Sequence, residues 1–202
     1  MNPVTTWRIA TIPWYVFAVY WALSALRVKP TKAREKSADR LITMVVVICA
    51  YELLFPRWLR DGVLGMRFVP QAAGIAYAGI AITFVGTAIS IWARYCLGEF
   101  WSARVALKEG HQLIRTGPYA FVRHPIYTGM LVATIGTALV VGEWRAVLAI
   151  LLLVAAHSRK ALREERMLTS EFGDEYRVYR QGTGFLFPRF GTRNGMGSAG
   201  QT

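Results

Sequence analysis

The sequence predicts an all-α integral membrane protein, with five transmembrane helices and a cytoplasmic C-terminal amphipathic helix closing a pocket at the cytoplasmic face. Three observations predict this. Hydrophobic residues make up 54% of the 202 positions and the mean hydropathy is +0.32, too apolar for an ordinary soluble globule. The apolar residues fall into long runs, which at about 1.5 Å per helical residue suit a hydrocarbon layer about 30 Å thick. The basic residues lie in the gaps between the runs. A net charge of +12 would suit nucleic acid. No recognition motif accompanies it, so a membrane surface explains it better and no nucleic-acid partner is expected. One domain is expected over residues 1–189, and residues 190–202, Gly-rich and polar, read as a disordered tail.

The first predicted span, residues 9–26, is aromatic (Trp14, Tyr15, Tyr20, Trp21), as interface-anchored spans often are. The stretch Ala22-Leu23-Ser24-Ala25 faintly resembles a cleavage site; a signal peptide is the weaker reading because the basic stretch ahead is thin. Residues 27–40 form a solvated loop with six Lys or Arg. The second span, 41–55, stops at Pro56-Arg57, with Glu52 read as an interfacial, snorkelling carboxylate. The third, 71–95, is rich in small residues such as Gly74, Gly79 and Gly86, which permit close helix approach and a central place in the bundle. Residues 126–141 and 145–157 form the fourth and fifth spans, joined by the tight turn Gly142-Glu143-Trp144 into an antiparallel hairpin. His157, near the end of the fifth, reads as structural. From 159 to about 180 Leu162, Met167, Leu168, Phe172, Tyr176 and Tyr179 recur at helical spacing among charges, interrupted by Gly173. Cys49 and Cys96 have neither metal nor disulfide spacing and read as packing residues.

Charge sets the orientation. Residues 27–40, 94–123 and those after 158 hold most of the 24 Lys and Arg, so the positive-inside rule puts them in the cytoplasm and the N-terminus outside the inner membrane. An odd number of spans is required, and five satisfies it.

Residues 98–131, GEFWSARVALKEGHQLIRTGPYAFVRHPIYTGML, plunge from a shaped polar loop into the fourth span. Pro118 and Pro125 fix φ, while Gly117 relaxes it. Tyr119, His124 and Tyr127 stand at the mouth of the fourth span, and Glu164 and Glu165 lie just beyond the fifth. The hairpin makes the two ends neighbours. Such a set could hold a sulfonium methyl donor, which wants a cation-tolerant, partly desolvated pocket and a carboxylate for its ammonium. Singly, each residue has a structural explanation: His124-Pro125 as a cap with proline at the first helical position, and Glu164 as an ion-pair partner of Lys160 or Arg163.

The pattern H-x-L-I-x-x-G-P-Y-x-x-x-R-H-P-x-Y-x-G from His111 to Gly129, followed by the Glu164-Glu165 pair, resembles the isoprenylcysteine carboxyl methyltransferase and phospholipid methyltransferase superfamily. The resemblance covers roughly the C-terminal half. It implies S-adenosylmethionine as cofactor, S-adenosylhomocysteine as product, and a cofactor site made by His111, Gln112, Leu113, Ile114, Tyr119, His124, Pro125, Ile126, Tyr127 and Glu164. It also implies an arginine for the substrate carboxylate where this chain has Lys160, with Arg159 adjacent and Arg163 nearby; the charge is kept and the bidentate fork is lost. Lys160, Arg159 and Glu165 are the candidate catalytic residues, and Lys160, Arg159 and Arg163 the candidate substrate contacts. No metal is expected.

The implied activity is methylation of a lipophilic or prenylated acceptor that enters from the bilayer, with a carboxylate favoured because it is already ionised and needs no base. Phosphatidylethanolamine N-methylation and thiol S-methylation are the alternatives, with Glu165, His124 or a tyrosine then helping to remove a proton. A sterol-reductase-like fold using NADPH fits less well, because it gives no reason for Glu164 and Glu165. A non-catalytic lipid-binding bundle would not keep a complete polar set. Small residues of the third span and the apolar sides of the fourth and fifth are expected to make a lateral tunnel for the acceptor, which Leu at Gly129 or Gly136 would obstruct.

Overall fold

Six helices and one short β-ribbon make up the computed structural model, which describes residues 3–26, 31–34, 37–55, 62–101, 106–108 and 113–189. In chain order they are α1 (Pro3–Ser24), β1 (Thr31–Arg34), α2 (Ser37–Leu54), α3 (Ala73–Leu97), β2 (Ala106–Lys108), α4 (Pro125–Val141), α5 (Trp144–Phe172) and α6 (Asp174–Gly182). Helix covers most of each stretch expected to be a span. Among the described residues α3, continued by a 3-10 turn at Gly98–Phe100, is the one helix long and apolar enough by length and composition to cross a membrane; α4 is a shorter apolar helix.

Two expectations need correction. The basic loop contains a strand: β1 pairs antiparallel with β2, Ala33 opposite Leu107, a short ribbon within an otherwise helical fold. Four- and three-residue strands carry no periodicity that a sequence window can register. The fifth span and the tail helix are also not separate. α5 runs unbroken for 29 residues, about 43 Å at 1.5 Å per residue, because the stretch from His157 to Leu162 contains no Gly or Pro to stop it. Gly173, at φ +53°, does end it, and α6 starts directly beyond.

α3 and α4 pack backbone to backbone. A Cβ on Gly79 would lie 2.6 Å from the Gly136 carbonyl, and one on Gly86 2.6 Å from the Gly129 carbonyl. These glycines leave no space between α3 and α4, so the expected tunnel does not run along the face that carries Gly129 and Gly136. Hydroxyls bind the same seam: Thr83 Oγ1 donates to Gly79 O at 2.8 Å and lies 3.3 Å from Thr137 Oγ1, while Ser90 Oγ donates to Ile126 O at 3.0 Å. Trp14 Nε1 donates to Thr137 Oγ1 at 2.9 Å, tying α1 to the pair.

The α4–α5 turn is clasped from below. Gly142, left-handed at φ +66°, closes α4, and its carbonyl accepts from Phe68 N at 3.0 Å. Arg67 Nη1 donates to Val141 O at 2.6 Å. Arg145, almost fully buried, pairs with buried Glu143 at 2.5 Å and donates to Leu53 O at 2.7 Å, fastening α2 to the hairpin.

At the opposite end the segment after α6 straps back under the loop that leads into α4. Arg123 N donates to Gly184 O at 2.9 Å, His124 N to Phe185 O at 3.3 Å, and Thr128 Oγ1 to Leu186 O at 2.6 Å.

Candidate active site at the mouth of the helical hairpin

Pro118 opens a 3-10 turn, Gly117–Ala120, behind Gly117 at φ +59°. A Cβ on Gly117 would strike Cys96 Sγ at 2.7 Å, so the loop sits directly on the end of α3. Tyr119 is buried in this turn, and its carbonyl accepts from Tyr179 Oη of α6 at 2.7 Å. Pro125 then occupies the first turn of α4, where its missing N–H is harmless, and His124 is the N-cap. The His124 side chain does not cap the helix; its buried ring faces α5. Tyr127, one turn into α4, points the same way.

α5 answers with two adjacent carboxylates. Tyr127 Oη donates to Glu164 Oε1 at 2.6 Å, and the other oxygen of Glu164 stands 3.4 Å from His124 Nδ1. Glu165 Oε1 accepts from Arg123 Nε at 2.6 Å and lies 3.4 Å from His124 Nε2, with Arg180 Nε 3.7 Å from its second oxygen. Arg123 also donates to the Thr183 carbonyl, so one guanidinium joins loop, α5 and C-terminal strap. The Tyr127 ring lies nearly parallel to those of His124 (5.7 Å, 16°) and His157 (5.0 Å, 8°), and Lys160 Nζ is 5.6 Å from its centroid.

The electrostatics follow from these contacts. Burial opposes a charge on His124, yet the flanking Glu164 and Glu165 carboxylates raise its pKa above the ordinary value. Burial likewise opposes ionisation of Glu164, but the His124 contact and the Lys160 charge hold it below the usual carboxylate range. For Glu165 burial is outweighed by His124 and Arg123, and its pKa falls to about 2. Burial, reinforced by Glu164, pushes the Tyr119 phenol up, so it stays a neutral donor.

Beside the carboxylates a small cleft of about 50 Å³ opens between the loop and α6, lined by Leu97, Leu113, Ile114, Tyr119, Arg123, Leu168, Tyr176 and Tyr179. Tyr176 Oη is buried there without a hydrogen-bond partner. The cleft lining is apolar and aromatic with one unpaired hydroxyl, the mixture of surfaces that small organic ligands use.

The predicted site residues therefore divide. Tyr119, His124, Pro125, Ile126, Tyr127 and Glu164 come together at the hairpin mouth, and Leu113 and Ile114 line the adjoining cleft. His111 and Gln112 lie outside the described residues. Lys160 faces Tyr127, whereas Arg159 and Arg163 reach Asp39 of α2, at 3.1 and 3.4 Å. Glu165 is engaged by Arg123. Among the described residues no group of three or more His, Cys, Asp and Glu could hold a metal. Sequence reasoning missed Arg123, Leu97, Tyr176 and Tyr179 as parts of the site. For the tyrosines a signal existed, the i, i+3 spacing that was read as an apolar face; for the strap, whose contacts are backbone bonds, there was none.

Residues 79–170 match the model of the isoprenylcysteine carboxyl methyltransferase family. A protein-S-isoprenylcysteine O-methyltransferase of Schizosaccharomyces pombe is 38% identical over 87 residues, covering 42% of this chain and 37% of the relative. A probable protein-S-isoprenylcysteine O-methyltransferase of Oryza sativa subsp. indica is 30% identical over 110 residues, 53% of this chain and 58% of the relative. The chain thus spans well under two thirds of these relatives. The fold is similar to that of a solved eukaryotic intramembrane Ras methyltransferase, with a TM-score of 0.55 at 21% identity, over 89% of this chain and 67% of the other. The similarity to the isoprenylcysteine carboxyl methyltransferase family thus runs from within α3 through the paired carboxylates of α5.

Proposed function

We propose that this protein is a multi-pass inner-membrane methyltransferase that uses S-adenosylmethionine to methylate the carboxylate of a lipophilic, prenyl-like acceptor arriving from the bilayer. The observation that carries the reading is the Tyr127–Glu164 hydrogen bond, which joins two sequence-distant polar patches into one site. Family and relatives support the chemistry. For the membrane, the support is an inside-out pattern: Thr83, Thr87, Ser90, Thr134 and Thr137 are buried, while Tyr15, Val19, Ile48, Val85 and Leu151 are exposed. An apolar belt around a polar seam suits lipid as solvent. In this reading α1, α2, α3, α4 and the first half of α5 are the five spans, with the N-terminus outside and the hallmark loop, the second half of α5 and α6 in the cytoplasm.

When bound, the cofactor supplies a methyl group on a sulfonium, open to in-line displacement. The chain positions and desolvates. Glu164, kept ionised and oriented by Tyr127 and His124, would hold the ammonium of the donor's amino-acid arm. Leu113, Ile114, Tyr119 and Tyr176, which line the cleft, would hold the nucleoside. The resemblance adds His111 and Gln112, outside the described residues, to the expected donor contacts. Glu165 fixes Arg123 and His124, and so acts through them. Lys160, beside Tyr127, orients the acceptor carboxylate; Arg159 and Arg163, at Asp39, steady α5 against α2. An amine acceptor would meet repulsion from Lys160, which is why a carboxylate is preferred over the N-methylation alternative.

The test is a titration of the purified protein in detergent with S-adenosylhomocysteine and with NADPH. The expected result is saturable binding of the first alone, weakened about tenfold or more in Glu164→Ala as an ionic hydrogen bond is lost. Binding of NADPH, or an unaffected Glu164→Ala variant, contradicts the proposal.

A further inference from the structure

Among the buried nitrogens without a hydrogen-bond partner, that of His157 lies against the proposed site. His157 is 4% exposed, and its Nε2 has no hydrogen-bond partner. Burying a polar atom unpaired is unfavourable, and native structures keep such atoms where a ligand completes them. The ring is not loose, since it lies 5.0 Å from Tyr127 at an interplanar angle of 8°. The same tyrosine carries Lys160 Nζ at 5.6 Å from its centroid and donates to Glu164. On α5 the three residues His157, Lys160 and Glu164 follow one another at helical spacing, so they form a stripe facing Tyr127.

Each member of this stripe has a different capacity. Glu164 is taken by Tyr127 and His124. Lys160 is a compact point charge, which attracts a carboxylate but cannot hold both its oxygens in one plane as a guanidinium can. An imidazole nitrogen one turn away can supply the second, directional contact. We infer that His157 is a specificity-determining residue: its Nε2–H donates to one oxygen of the acceptor carboxylate while Lys160 engages the other, so that the pair replaces an arginine fork. The inference rests on the proposed carboxylate acceptor and adds the residue that would recognise it.

The experiment compares wild type, His157→Phe, His157→Gln and the double variant His157→Phe/Lys160→Arg, purified in detergent. Phenylalanine keeps the ring on Tyr127 and removes the nitrogens; glutamine keeps a donor. Each protein is titrated with S-adenosylhomocysteine and, with that bound, with N-acetyl-S-farnesyl-cysteine and with its primary amide. Wild type should prefer the acid over the amide by about tenfold or more, the size of a hydrogen bond to a charged group. His157→Phe should lose that preference with S-adenosylhomocysteine affinity unchanged, and His157→Gln should keep part of it. Lys160→Arg, added to His157→Phe, should restore it, an outcome that a merely structural histidine would not produce. An undiminished preference in His157→Phe, no rescue by arginine, or no acid preference in wild type each overturns the inference while the donor reading stands. Failure of wild type to bind S-adenosylhomocysteine instead overturns the methyltransferase reading, and this inference with it.

Discussion

Glu165 shows how a single side chain couples stability to the site. Its pKa, held at about 2 by His124 and Arg123, lies below the ordinary carboxylate value of 4.5. The stabilisation is therefore present above about pH 4.5 and lost as pH falls toward 2. His124 runs the other way: raised above 6.5, its ion pairs are complete below that value and disappear as pH climbs through the raised pKa. Thermal melts in detergent should show the acid limb flattened in Glu165→Gln. The same variant should lose about 3 kcal/mol near neutrality, because Arg123 keeps its buried place without its partner; an unchanged melt contradicts this account. The residue scale is also where the sequence was most legible. Tyr119, His124, Tyr127 and Glu164 could be named because motif and hairpin topology point at one spot. Arg123 was not recognised as the clamp it is, because its partners, Glu165 and the Thr183 carbonyl, lie 42 and 60 positions away.

At the scale of elements, the seam between α3 and α4 and the strap after α6 hold the site in place. Gly79 and Gly86 face Gly136 and Gly129 so closely that any larger side chain forces the helices apart. Gly136→Leu should cost more than about 3 kcal/mol through overpacking, and should abolish donor and acceptor binding together; selective loss of acceptor binding would revive a tunnel along this face. Small residues in the sequence announced close approach correctly, but composition cannot say whether the space is shared by two helices or left for a lipid. The continuity of α5 was hidden for a related reason: the residues change from apolar to charged at His157, but the helix itself does not end there. The strap was illegible because β-like backbone bonds at Val122 and Gly184 have no side-chain signature.

For the whole molecule, the account places the Arg145–Glu143 clasp and the hallmark loop on opposite sides of a membrane. In a Cys49→Ala/Cys96→Ala background, an impermeant maleimide applied to intact cells should label a cysteine at exposed Val63 and spare one at Asp174; the reverse pattern contradicts the orientation. Charge placement in the sequence was enough to state that orientation, while the number of spans depends on how α1, α2 and α5 use their mixed faces. The central claim is that Tyr127 and Glu164, 37 positions apart and 2.6 Å in contact, act on one bound molecule. A double-mutant cycle on S-adenosylhomocysteine affinity with Tyr127→Phe and Glu164→Gln tests it most directly. The account predicts a coupling of about 1 kcal/mol or more between the two changes, and strictly additive losses would contradict it.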